Sequence, residues 1–173
     1  MKLKTFWKGL FILIVLIGVS SCKQHPKKKT ENDEKTKTIG VFNSANEQEL
    51  TEYIKLNLDE SHPNLLNPQI SKTDYNTVIE SWTDLHQRIG NYLVENKFTW
   101  ETKDEAISIV QKIYFDHNGE IENYFFNILN PNVTKEKKEQ FAKLISEFAK
   151  TNRIDLKRDK SFAQCGKTKY LNK

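Results

Sequence analysis

The sequence predicts an α+β domain in which helices pack on a small antiparallel sheet, in the order helix, helix, β-hairpin, helix, strand. Three observations carry this. Residues 71–96 and 135–151 repeat apolar side chains at helical spacing. Residues 105–129 are rich in β-branched and aromatic residues and are broken once, by Asp116-His117-Asn118-Gly119. A period near 3.6 marks a helix with one core-facing stripe, and Asn-Gly between two β-rich runs marks a hairpin.

Each element has a local reason. In the first helix, Asn46 to Leu58, residues Leu50, Tyr53, Ile54 and Leu58 form the stripe. Ser61-His62-Pro63-Asn64 then breaks the chain. The second helix, Ser71 to about Asn96, carries Tyr75, Val78, Ile79, Trp82, Leu85, Ile89, Tyr92 and Leu93. Gly90 interrupts it at a cost of about 1 kcal/mol relative to alanine, and marks a bend, a close contact or an earlier end. In the hairpin, Ile107, Ile109, Gln111, Ile113 and Phe115 share one face of the first strand. In the returning strand, Ile121 and Phe125 share a face and Tyr124, Phe126 and Ile128 take the other. Large apolar groups on both faces predict cover on both. Thr134 is placed to cap a helix whose stripe is Phe141, Leu144, Ile145 and Phe148. Arg153–Leu156 and Ser161–Tyr170 read as extended, the latter as a strand beside the hairpin.

The start of the chain concerns address. Lys2, Lys4 and Lys8 precede eleven uncharged residues, Gly9 to Val19, and then Ser20, Ser21 and Cys22. A basic start, a short apolar middle and a small-residue end make a secretory signal. The apolar run is shorter than the ~20 residues that span a bilayer. Val19-Ser20-Ser21-Cys22 resembles the lipobox of bacterial lipoproteins: an aliphatic residue, two small residues and a cysteine. That resemblance implies cleavage before Cys22, with 1–21 as signal peptide, and lipid on the Cys22 thiol. Lys23 stands where enterobacterial lipoproteins retained at the inner membrane have aspartate, which implies the outer membrane. Residues 22–44 read as a polar tether with a reach of ~25 Å, and 45–173 as the folded domain. The lysine run 27–29 can add headgroup attraction of up to about 1 kcal/mol per residue.

Ile113-Tyr114-Phe115-Asp116-His117-Asn118-Gly119-Glu120-Ile121, the helix from Lys135 and the later Gly166-Lys167-Thr168 resemble the periplasmic C-terminal domain of TonB-type energy transducers, over about residues 80–173. That family's Tyr-Pro start motif, proline-rich spacer and retained transmembrane helix are missing. Asn130-Pro131-Asn132 replaces its small-residue run. The resemblance therefore implies topology and not energy transduction.

Composition narrows the function. The formal charge of +4 includes the three signal lysines, so the remainder is close to neutral. A dedicated nucleic-acid binder would carry a strong basic patch. With Cys22 acylated, Cys165 is the remaining thiol, and it reads as a small structural residue. His25, His62, His86 and His117 show no metal-ligand spacing, and Asp116, Asn118 and Glu120 lack the later ligands of a calcium loop. No nucleophile elbow, phosphate loop or dinucleotide fingerprint occurs. The expectation is thus a non-enzymatic envelope lipoprotein with no catalytic residue, metal or cofactor. Its partners would be the membrane, through the lipid, and a protein or cell-wall component, not nucleic acid. An exposed apolar strip or a free edge near Phe162–Tyr170 would serve that binding. The alternatives are an envelope hydrolase with dispersed active-site residues, an inhibitor or immunity-type lipoprotein, and an assembly factor.

Overall fold

The computed structural model describes residues 38–172. Three helices pack against one four-stranded mixed sheet. In chain order the elements are β1 (Gly40–Asn43), α1 (Glu47–Leu56), a single 3-10 turn (Leu58–Glu60), α2 (Tyr75–Glu95), β2 (Ala106–Phe115), β3 (Ile121–Ile128), α3 (Lys135–Thr151) and β4 (Phe162–Leu171). The sheet order is β1-β3-β2-β4. The hairpin β2–β3 and the β2–β4 pair are antiparallel, whereas β1 runs parallel to β3.

The expectation of a purely antiparallel sheet is corrected by β1. This strand also lies inside 22–44, the span read as a tether, so the ordered domain begins earlier than residue 45. Gly-Val-Phe-Asn is a short apolar island after a polar run. Its partner is distant in sequence, pairing Val41 with Tyr124 and Phe42 with Phe125. Without it the outer edge of β3 would lack a partner.

The two faces are covered unequally. On one face α2 and α3 bury Ile107, Ile109, Ile113, Tyr124 and Phe126 beneath Val78, Leu85, Ile89, Phe141 and Ile145. At roughly 1.5–3 kcal/mol for each large apolar side chain, this layer is the main source of stability. On the other face α1 lays only Tyr53 firmly on the sheet, stacked on Phe125 at 4.3 Å between centroids. Ile54, expected in the stripe of α1, is 64% exposed.

Element ends follow local chemistry. Asn46 caps α1 by accepting from the Gln48 and Glu49 amides, and Thr134 caps α3 by accepting from Lys137 N. Helix α2 starts at Tyr75 rather than Ser71. Residues 67–71 are held in turns by Ile70 N and Ser71 N donating to Asn67 O. Asp74 spends its carboxylate on Arg158, at 2.5 Å, instead of on a cap. Gly90 lies within a continuous helix. The ring of Tyr170 lies 3.7 Å from where its Cβ would be, an ordinary contact distance, so Gly90 marks neither a bend nor an early end.

The hairpin turn differs from the two-residue form. Only Gly119 has positive φ (+86°), Gly119 N donates to Asp116 O at 3.1 Å, and Asp116 N donates to Glu120 O at 3.0 Å. That is a three-residue connection closed by a left-handed glycine. A register shift at Tyr114/Phe115 then pairs Phe115 with Ile121. The added residue swings Ile121 into the core face with Phe115, away from Phe125. Residues 153–156 form one isolated bridge, Arg153 to Glu120, and bury Ile154 and Leu156.

Candidate functional site

Two regions gather chemistry. The first lies between α1, the 3-10 turn and the sheet. Tyr53 and Tyr114 share a hydrogen bond at 2.6 Å, and Tyr114 Oη donates to Asp59 Oδ1 at 2.8 Å. Lys112 Nζ lies 2.6 Å from the same carboxylate and 5.7 Å from the Tyr114 ring centroid. His62, packed edge-on to Tyr114, places Nε2 3.3 Å from Glu122 Oε2. Cys165 is the cross-strand partner of Lys112.

The charges in this cluster are mutually satisfied. Burial raises the Tyr114 hydroxyl far above its ordinary range, and the bonds to Tyr53 and Asp59 add to that. Burial also pushes Asp59 up, but the Lys112 ammonium and the Tyr114 hydroxyl outweigh it and leave the carboxyl below its usual value. Burial pushes the Cys165 thiol up, against the pull of Lys112. The thiol therefore stays protonated near neutral pH, which suits the small structural role. The arrangement fastens the turn at 58–62 to β2.

Tyr114→Phe should therefore lower stability by on the order of 1–2 kcal/mol, because a hydroxyl that donates to a carboxylate is lost. Urea denaturation at neutral pH reads this. Asp59 contributes stability above its unfolded value of 3.8 and loses it as the pH falls through its lower folded value. The gap between the two proteins should close in that range.

The second region is a cleft between α2 and the end of β4. Its walls are His86, Gly90 and Val94 of α2, Phe98 and Trp100 after it, and residues 169–172. Its volume is about 260 Å³, less than the roughly 300–1,000 Å³ of a drug-sized ligand site. Tyr170 hydrogen-bonds His86 Nδ1 at 2.7 Å, while His86 Nε2 is buried without a partner among the described residues. Burial holds the imidazole neutral, its pKa pushed down to about 3. One large apolar side chain, Val94 (64% exposed), stands at the opening.

The outer edge of β4 runs into this cleft. Asn172 N donates to Glu105 O, so even-numbered residues of β4 bond to β2 and odd-numbered ones point outward. Near the start of β4 the outward groups are used. Ala163 N donates to Pro63 O, Leu65 N to Ala163 O, and Cys165 N to Asn64 Oδ1. From Lys167 to Leu171 the edge has no strand partner among the described residues.

Cys22, the lipidation site read from the sequence, lies outside the described residues, as does His25. His62, His86 and His117 sit in separate places. Among the described residues no group of three or more His, Cys, Asp or Glu could hold a metal ion. The Asp116 carboxylate accepts from Asn118 N and Glu120 N, which makes it a turn former. Asp59, which no sequence motif marks, is the centre of the first cluster. No helix of the described residues is long and apolar enough to cross a membrane.

No family model, curated protein or solved structure matches the chain. The site must therefore be read from its own geometry.

Proposed function

We propose that this chain is an envelope lipoprotein, anchored by lipid on Cys22, whose domain captures an envelope protein along the outer edge of β4. The observation that carries the binding role is the edge from Lys167 to Leu171, which has no strand partner among the described residues and ends beside an apolar cleft. Outward amides and carbonyls give a partner strand its main-chain bonds, and an adjacent pocket gives it selectivity. The first cluster, with its charges satisfied internally, supports a binding domain over a hydrolase. The hairpin–helix–strand order over 106–171 supports the TonB-type likeness as one of topology. A lipid anchor offers no route for inner-membrane energy.

Two experiments test this reading. Cys22→Ala should leave a folded domain that fractionates as soluble, because the lipid anchor is lost. A variant that stays with the membranes would overturn the anchor. A photo-crosslinking residue at position 169 of the otherwise native protein should yield a discrete envelope adduct on irradiation. The same residue at Lys143, on the exposed face of α3, should not. The absence of any adduct specific to position 169 would overturn the edge.

A further inference from the structure

We infer that the segment captured by β4 alternates acidic and apolar residues, with an apolar side chain filling the α2–β4 cleft; this rests on the edge reading above. The argument begins with facing. Side chains of odd-numbered β4 residues lie on the α1 side of the sheet, with Cys165 beside Lys112, and those of even-numbered residues lie on the α2 side, with Tyr170 against His86. A strand added to the outer edge continues this alternation. Its residues on the α1 side come to rest next to Lys167 and Lys169. Both lysines are exposed, and neither takes part in an ion pair among the described residues. On that side the Asp59 carboxylate is already held by Lys112 and Tyr114.

Opposite charges across adjacent strands contribute roughly 0.2–1 kcal/mol per pair, and like charges cost. The two ammonium groups thus favour acidic neighbours at alternate positions. They also disfavour a second copy of β4, whose own lysines would face them, so a partner of different sequence is selected over self-pairing. On the α2 side the intervening residue meets the opening between Val94, Trp100 and Tyr170, where about 260 Å³ accommodates a leucine or phenylalanine. Edge lysines that guard against unwanted strands thereby act as the selecting charge for the right one.

The test uses the full lipidated protein in detergent and two fluorescein-labelled octapeptides, one alternating Glu and Leu and one alternating Lys and Leu. Fluorescence polarisation should show the Glu/Leu peptide binding at least tenfold more tightly, with the gap narrowing in high salt. The double variant Lys167→Glu, Lys169→Glu should reverse the preference, and Val94→Asp should weaken the Glu/Leu peptide at least tenfold. These positions are exposed, and an unchanged circular dichroism spectrum verifies folding. Equal binding of the two peptides, binding of neither, or a preference that survives the charge reversal would overturn the inferred chemistry. If the crosslink at position 169 still forms in such a case, the edge reading stands and only the partner's composition is wrong.

Discussion

Gly119→Ala should destabilise the domain by about 3 kcal/mol or more, lowering Tm by on the order of 10 °C. Two costs combine. Gly119 has φ +86°, a conformation that an L side chain adopts at a cost of about 1–2 kcal/mol. A Cβ there would also lie 2.5 Å from Ile154 O and 2.6 Å from Leu156 O. Both atoms are backbone, so no side chain can rotate away. Relief requires moving the 153–158 segment, which is held to the turn by Ile154 N donating to Gly119 O and Arg158 N donating to His117 O. That movement would lift Ile154 and Leu156 from the core. Asn118→Ala is the control. Asn118 is exposed and has no positive φ, so it should cost well under 1 kcal/mol. Guanidinium denaturation with an unchanged m-value measures both. Equal midpoints for the two variants would show that the turn is not braced by the segment behind it.

The same contrast shows how much of the structure is legible in the sequence. Asn118-Gly119 announces a turn because glycine punctuation acts locally. The bracing of that turn depends on residues some thirty-five positions later and has no local sign. Helix α3 is legible to its ends, since Thr134 caps it and Phe141, Ile145 and Phe148 repeat at helical spacing. Strand β4 is legible through its composition. Strand β1 is hidden, because four residues in a lysine-rich context carry too little periodicity, and their pairing with β3 is settled by an edge formed far along the chain. The face of Ile121 is misread because one bulge at Tyr114/Phe115 inverts the alternation.

The candidate site divides in the same way. The free edge of β4 is foreseeable from a terminal strand after a hairpin and a helix. The cleft beside it is not, since it needs the turn after α2 to bring Phe98 and Trp100 across to the end of β4. The Asp59 cluster joins residues more than fifty positions apart. Asp59-Glu60 looks like any acidic pair at an element end until Lys112 and Tyr114 arrive from β2.

Acid should weaken the fold through His86, by about 3 kcal/mol between pH 7 and pH 4. Burial lowers its folded pKa from 6.5 to about 3. The unfolded chain takes up a proton near 6.5. Between those values the unfolded state binds more protons than the folded one. Stability therefore rises with pH from about 3 to 6.5 and is flat above. The folded state resists protonation because the ring lies against Trp82 at 4.0 Å between centroids and, among the described residues, bonds only Tyr170 and pairs with no carboxylate that would stabilise a charge. His86→Phe removes the titration, so its stability should change less over the same range, even if it is lower at pH 7 through loss of the Tyr170 bond. All other groups are common to the two proteins, so the difference between the two stability–pH curves isolates His86. Denaturant midpoints at closely spaced pH values measure it. Superimposable slopes would mean that the imidazole takes up its proton without unfolding, which the close packing between α2 and β4 does not permit.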